Sequence, residues 1–337
     1  MKSAFKYLSI LCLVLGVVFA LGPRPNTKAS VTFDPNLIGD NLDNYLSRTE
    51  GKIKNLVEGA EKEILWADPT AQSQTDISII YIHGFSATKH ETRPVTDKVA
   101  EALDANIFYT RLTGHGRDGA GMAEASFQDW ANDFAEAIAI GERIGKKIII
   151  ISASTGSTIS TWGLTHPELT KNVAGLVMIS PNYELHGIST WLANIPWAEK
   201  ILPAIGGSQR SWEPLNEEHA KWWTTSYPSK AIFPMTSMLK VLKNVDKSEI
   251  KTPAFFIYSP NDKVIVAEEA DKVASQWGGA VKILKIEEAS DPYKHVIAGD
   301  ILSPENTNRI TYEIIAWLVQ NKELKLPELF RGSGKVF

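Results

Sequence analysis

Four consecutive isoleucines at positions 148–151 constrain the fold more than any other feature of this sequence. They belong to a set of short apolar runs in which polar and apolar residues do not alternate, and a strand of that kind is buried on both faces. We predict strands over residues 77–82, 106–109, 147–151, 173–179, 254–258 and 281–286. Helical patterns separate them, at about residues 94–104, 126–143, 155–166, 267–277 and 306–320. The sequence therefore predicts an α/β fold with a doubly wound, mostly parallel sheet.

Two regions depart from this pattern. Residues 37–66 carry apolar residues at roughly helical spacing, so we predict a helical segment over residues 23–76 before the core of residues 77–182 and 249–337. Between residues 183 and 248 the strand pattern disappears, which predicts a helical cap insertion. The insertion contains half of the ten tryptophans, which either pack it onto the sheet or line a substrate pocket: Trp191, Trp197, Trp212, Trp222 and Trp223.

The first residues have the pattern of an export signal. Lys2 and Lys6 precede an apolar run over residues 8–21, which is shorter than the ~17–25 residues of a membrane-spanning helix. Small residues that suit a signal peptidase end at Ala20. We expect residues 1–22 to be a cleaved signal peptide or, alternatively, an uncleaved anchor that tethers the protein through residues 5–21. Either implies an exported protein, periplasmic, extracellular or membrane-anchored.

Composition excludes several other functions. The 35 basic and 39 acidic side chains leave no positive excess for binding nucleic acid. The only cysteine, Cys12, lies in the predicted signal, so we expect neither disulfides nor thiolate metal sites in the mature protein. His166, His186 and His219 lack metal-ligand spacing, and there is no glycine-rich phosphate loop. We therefore expect no metal and no cofactor.

The ends of three predicted strands carry residues that together could activate a serine. Ligands of doubly wound sheets bind beyond the carboxyl ends of the strands, where Ser154, Asp262 and His295 follow in that order. A serine hydroxyl needs a base to accept its proton, and His295 can serve as that base while Asp262 orients it. Taken singly, each has an ordinary alternative: a helix N-cap for Ser154, a turn residue for Asp262 and a loop histidine for His295.

The neighbours of these residues fit the same chemistry. A sharp turn between strand and helix requires small residues two positions before and after the serine; Gly156 fits, and Ser152 stands where glycine is usual. The backbone N–H groups of Phe85 and Thr155 are the expected donors to an oxyanion. Gly84 would let the chain bend there, and His83 is expected to orient this loop rather than to transfer protons.

Taken together, these motifs resemble the α/β-hydrolase superfamily, and within it the group of monoacylglycerol lipases, carboxylesterases and serine aminopeptidases. The matching segments are residues 81–85, 111–116, the turn at Ser154, residues 258–262 and His295. The resemblance implies a helical cap at residues 183–248, Ser154 as nucleophile, Asp262 and His295 as its partners, and Phe85 and Thr155 as oxyanion donors.

We therefore expect a serine hydrolase that cleaves small carboxylic esters through an acyl-enzyme, with an apolar acyl group favoured by the cap. One alternative is an aminopeptidase or amidase, for which Glu213, Glu217 and Glu218 could bind a substrate amine. The other is a non-catalytic binding protein on the same fold, since a fold does not by itself imply a function.

Overall fold

A seven-stranded sheet forms the centre of the computed structural model, which describes residues 2–187 and 189–321. Three parts of the predicted regions lie outside the described residues: Met1 of the signal, Ile188 of the insertion and residues 322–337 of the core. The strands follow the order β1-β3-β2-β4-β5-β8-β9, and all neighbours are parallel except β1 and β3. They are β1 (Glu63–Leu65), β2 (Thr75–Ile82), β3 (Asn106–Tyr109), β4 (Gly145–Ala153), β5 (Val173–Ile179), β8 (Ala254–Tyr258) and β9 (Val281–Lys285). The predicted fold class and the predicted strands are confirmed.

Helices cover both faces of the sheet, and the isoleucines of β4 explain why its sequence does not alternate. Ile148 and Ile150 pack into one apolar layer while Ile149 and Ile151 pack into the other, and all four are fully buried. The helices are α1 (Lys2–Ala20), α2 (Leu42–Glu50), α3 (Val95–Leu103), α4 (Gly119–Met122), α5 (Phe127–Ile144), α6 (Thr155–Gly163), α7 (Pro167–Thr170), α8 (Ala198–Gly206), α9 (Glu217–Trp222), α10 (Phe233–Lys243), α11 (Ala267–Gln276) and α12 (Pro304–Gln320). Residues of α3 and α12 contribute to one layer, and residues of α5, α6, α10 and α11 to the other.

The prediction of helix throughout residues 37–66 is wrong. After a short 3-10 turn (Pro35–Ile38), only α2 is α-helical there, and it ends at Glu50 before Gly51. Gly59 has a φ of 92°, a left-handed conformation that interrupts any helix, and the chain then forms β1 antiparallel to β3. Apolar spacing did not distinguish this short edge strand from a helix.

The insertion is largely helical, but it also contains a two-stranded sheet that the sequence pattern did not predict. Strands β6 (Gln209–Ser211) and β7 (Ser226–Pro228) pair antiparallel, between α8 and α10 in the chain. Three 3-10 turns complete the region: Leu192–Asn194, Ser229–Ile232 and Lys247–Glu249. Because β6 is short, polar and largely exposed, it lacks the apolar run by which strands are recognised.

Helix α1 contributes nothing to the two apolar layers. Leu8, Leu13 and Val17 are exposed, and the exposed fraction of Leu13 is 68%. None of the helices formed by the described residues combines the length and apolar character required to cross a membrane.

Candidate active site

The turn from β4 into α6 holds Ser154 in a conformation that non-glycine residues rarely adopt. Its φ is 46° and its ψ is −115°. Its backbone N–H donates to the carbonyl of Ile179 at 2.9 Å, and its carbonyl accepts from Asn182 at 3.2 Å, so neighbouring segments fix the strained turn. Gly156 is required because a Cβ there would lie 2.1 Å from the carbonyl oxygen of Ile82.

Ser152 fits where glycine was expected. Its hydroxyl is fully buried, donates to the carbonyl of Val177 at 3.2 Å and lies 3.1 Å from the hydroxyl of Ser157. These contacts satisfy the extra hydroxyl, so the turn forms without a glycine at this position.

The structure brings Ser154, His295 and Asp262 into one continuous chain of hydrogen bonds. Ser154 Oγ lies 3.0 Å from His295 Nε2, and His295 Nδ1 lies 2.7 Å from Asp262 Oδ2. The side chain of Ser154 makes no capping hydrogen bond to α6, so the N-cap alternative does not describe its contacts. With Nδ1–H donating to the carboxylate, Nε2 is free to accept the serine proton.

Two carboxylates fix the position of the imidazole. The other oxygen of Asp262 accepts from the backbone N–H groups of Val264 and Ile265, so this residue both shapes the turn after β8 and contacts the ring. Asp291 instead accepts from backbone N–H groups, including that of His295 itself at 2.9 Å. Asp262 is therefore the acid that contacts the ring, and Asp291 holds the loop that carries it.

Electrostatics at His295 suit a general base. Burial lowers the pKa of the imidazole, but the charge and hydrogen bond of Asp262, together with the charges of Glu91 and Asp291, raise the pKa above its ordinary value. The Asp262 carboxylate would thus stabilise an imidazolium formed at His295 on accepting a proton from Ser154.

Phe85 and Thr155 line the same cavity as Ser154. Within the described chain, neither of their backbone N–H groups donates to a protein acceptor. Two free amides beside the serine are the arrangement that stabilises an oxyanion.

His83 and His115 contact the loop after β2 that contains Gly84 and Phe85. His83 Nδ1 donates to the carbonyl of Gly84 at 2.8 Å, and Nε2 accepts from the backbone of Leu112 at 3.1 Å. Burial lowers the pKa of His83 to about 4, so it stays neutral and serves to orient the loop. His115 is buried against the rings of His83 and Phe85.

Sequence reasoning missed Glu91. Its carboxylate is buried and accepts from the backbone N–H of Gly84 at 2.7 Å, directly before Phe85. Burial raises the pKa of Glu91 to about 7. No local signal identified this residue, because the contact depends on how the loop after β2 folds back.

A cavity of about 390 Å³ opens above Ser154 and His295. Of the five tryptophans in the insertion, Trp212 and Trp223 line it, whereas Trp222 stacks on His90 with ring centroids 3.5 Å apart. Trp191 is 72% exposed. Trp212 and Trp223 therefore fit the explanation by pocket lining. Trp222 packs against the loop after β2, and the exposed Trp191 fits neither explanation. Of the three acids considered for binding an amine, only Glu213 lines the cavity.

No cluster of three or more potential metal ligands occurs among the residues that the structure describes.

Comparisons with known proteins identify lipolytic enzymes that are similar to this chain in sequence or fold. A thermostable monoacylglycerol lipase of Bacillus sp. (strain H-257) is 23% identical over 205 residues, which cover 61% of this chain and 78% of the lipase. A structure from work on LipS and LipT, two metagenome-derived lipolytic enzymes, superposes with a TM-score of 0.64 at 20% identity, over 79% of this chain and all of the other. A soluble variant of the monoglyceride lipase of Saccharomyces cerevisiae gives a TM-score of 0.56 at 13% identity, over 77% and 91% of the two chains.

The fold in these structures is the α/β-hydrolase fold predicted from the motifs. A family model described as serine aminopeptidase, S33 matches residues 73–290, a range that contains Phe85, Ser154 and Asp262 and ends before His295. The chain belongs to the S33 serine aminopeptidase family of α/β-hydrolases.

Proposed function

We propose that this protein is a serine hydrolase that cleaves carboxylic esters through an acyl-enzyme on Ser154. The observation that carries the proposal is the unbroken chain of hydrogen bonds from Ser154 through His295 to Asp262, at 3.0 and 2.7 Å. Family membership and the lipases and esterases among similar proteins support it.

The reaction follows from the positions of these groups. Ser154 Oγ attacks the ester carbonyl carbon while His295 Nε2 accepts its proton, and the N–H groups of Phe85 and Thr155 stabilise the resulting oxyanion. His295 then donates that proton to the departing alcohol oxygen, which leaves an acyl group on Ser154. Water attacks the acyl carbon, His295 accepts a proton from the water, and Ser154 regains its hydroxyl as the acid departs.

Ester hydrolysis by the purified protein tests the proposal. We expect turnover of p-nitrophenyl esters of graded chain length, and a loss of several orders of magnitude in kcat for Ser154→Ala. A Ser78→Ala variant serves as the matched control and should retain turnover, because it removes a buried hydroxyl that donates to the carbonyl of Gly141 outside the cavity. Equal turnover in Ser154→Ala and the parent protein would overturn the proposal.

An aminopeptidase or amidase using the same residues is the second candidate, because the carboxylate of Glu213 lines the cavity and could bind a substrate amine. Hydrolysis of aminoacyl amides without hydrolysis of short p-nitrophenyl esters would favour it. A Glu213→Gln variant should then raise KM for the amides.

We also propose export, with residues 1–22 as a signal or anchor. The exposed apolar side chains of α1 support this, because they take no part in the core. Intact-mass measurement of the protein from an exporting host should show loss of residues up to about Ala20. Recovery of the full-length mass in the membrane fraction would indicate the anchor instead, and a full-length protein in the cytosol would contradict both.

A further inference from the structure

One cation of the cavity has no partner. Arg210 lies in β6 and lines the same cavity as Ser154. Its Nε is shielded from solvent and has no hydrogen-bond partner, and its guanidinium forms no ion pair with any acid of the described residues. Shielding a polar group without a partner costs free energy, which a ligand that accepts its hydrogen bonds would recover.

The other shielded charges of the cavity are occupied. Glu91 accepts from Gly84, and Asp291 accepts from backbone amides. Lys263 is exposed, and its ammonium donates to the carbonyl of Pro292 at 3.0 Å. Glu213 also lines the cavity, but it is exposed and does not pair with Arg210. Arg210 is therefore the cation left for a bound molecule.

Its position relates it to the reacting atoms. Arg210 is paired in register with Tyr227 of β7, and the ring of Tyr227 packs edge-on against Phe85, with centroids 5.4 Å apart. Phe85 carries one of the expected oxyanion donors. Because Arg210, Phe85 and Ser154 line one cavity of about 390 Å³, a single molecule can place its carbonyl at Ser154 and an anionic group at Arg210.

We propose that Arg210 forms an anion subsite and that the preferred substrates are carboxylic esters that also carry a carboxylate or a phosphate. A guanidinium matches both groups, because its planar set of N–H donors can bind two oxygens at once. The apolar cavity walls hold the chain that links the anion to the ester. The inference rests on the proposed ester hydrolysis and narrows its substrate class.

Matched pairs of esters test this. For a carboxylate on the acyl side, p-nitrophenyl hexanoate is compared with the p-nitrophenyl monoester of adipic acid. For a phosphate on the alcohol side, monobutyrylglycerol is compared with butyryl glycerol phosphate. The measured quantity is the ratio of kcat/KM for the anionic ester to that for the neutral one.

We expect a ratio above one in at least one pair, carried mainly by KM, and a fall in that ratio of about ten- to a hundredfold in Arg210→Gln. Arg210→Lys should restore part of the ratio, because it keeps the charge without the planar donors. Lys230→Gln, which removes an exposed cap cation outside the cavity, is the control for net charge and should leave the ratio unchanged.

The experiments distinguish a failure of the anion subsite from a failure of the proposed ester hydrolysis. Hydrolysis that requires Ser154, with the same ratios in Arg210→Gln as in the parent protein, would overturn the anion subsite while the proposed function stands. If neither member of a pair is hydrolysed, calorimetric binding of adipic acid monoamide against hexanamide still decides. Equal affinities for the two amides would overturn the subsite, and tighter binding of the anionic one that depends on Arg210 would support it.

Discussion

At the scale of single residues, the geometry around Ser154 depends on contacts that its neighbours make with backbone groups. Asp262 and Asp291 each use backbone N–H groups to hold the loops that position His295. The nucleophile and the base therefore meet without rearrangement, at 3.0 Å. This preorganisation is what a serine needs in order to attack a carbonyl at neutral pH.

Replacing Asp262 with asparagine should leave a folded protein with kcat lower by about 10⁴-fold, because the amide no longer selects the Nδ1–H tautomer or stabilises the imidazolium. The pH dependence gives a second readout. His295 must be neutral to accept a proton, and its pKa is raised above the ordinary ~6.5, so kcat/KM should rise with pH through an apparent pKa above that value.

In Asp262→Asn the main cause of that raised pKa is gone while burial remains, so the acidic limb should move to lower pH. Asp291→Asn removes a smaller contribution to the raised pKa of His295, so its acidic limb should move less than that of Asp262→Asn. Unchanged turnover in Asp262→Asn would mean that another acid partners His295.

Glu91 should act as a positioning residue for the oxyanion loop. Removing its carboxylate in Glu91→Ala leaves the Gly84 N–H without its acceptor, and we expect kcat to fall by about tenfold or more with little change in KM. Glu91→Gln keeps an acceptor oxygen and should restore most of kcat. If both variants turn over like the parent protein, Glu91 has no role in positioning the loop.

The sequence predicted that Ser154, Asp262 and His295 come together, because each follows a predicted strand in the order typical of a serine hydrolase. It did not predict Glu91 or Arg210, since their significance comes from partners that are distant in the chain or lacking altogether. Neither residue belongs to a periodic sequence pattern: the carboxylate of Glu91 accepts from Gly84 in a loop, and Arg210 lies in a short polar strand of the cap.

At the scale of elements, the strand-turn-helix unit at Ser154 depends on close packing between β2 and α6. Gly156→Ala should destabilise the protein by about 3 kcal/mol or more, because its Cβ would lie 2.1 Å from the carbonyl oxygen of Ile82. The matched control is Gly206→Ala, because a Cβ at Gly206 would meet no atom within 4 Å. This substitution should change the free energy of unfolding by at most about 1 kcal/mol. Urea unfolding measures both, and equal stability of the two variants would contradict this account of the turn.

A buried ion pair attaches α2 to the loop after β3. Arg111 donates to both carboxylate oxygens of Glu50, at 2.7 and 2.9 Å. Arg111→Ala would leave that carboxylate buried with the backbone N–H of Lys62 as its remaining donor, so we expect a loss of about 3 kcal/mol.

The surface pair of Lys146 and Asp76, at 2.7 Å with Lys146 66% exposed, gives the comparison. Lys146→Ala should cost less than about 1 kcal/mol. A small effect for Arg111→Ala in the same unfolding measurement would show that α2 is not held by this pair.

The bounds of α5, which has a helical period, and of β5, which is a continuous apolar run, were predicted to within a few residues. The failures lie where sequence patterns are weak. Strand β1 is three residues long and at the sheet edge, and β6 is polar, so neither produces the continuous apolar run of a central strand.

At the scale of the whole molecule, the parallel sheet explains how residues far apart in sequence meet. Strands β4 and β8 end at the same edge and deliver Ser154 and Asp262, and the loop after β9 delivers His295. The cap covers the cavity at Ser154 and His295 and contributes apolar lining residues as well as Arg210. The fold class could be predicted because parallel strands buried on both faces have a distinctive composition, whereas the shape of the cavity depends on packing within the cap.

Labelling with a fluorophosphonate, followed by intact-mass and peptide mass measurement, tests the central claim most directly, because the probe reacts only with a serine activated by a base. We predict one adduct per chain, located on Ser154, absent in Ser154→Ala and much slower to form in His295→Ala. No adduct on the folded protein, or an adduct that persists in Ser154→Ala, would contradict the claim and favour a non-catalytic protein on this fold or a different nucleophile.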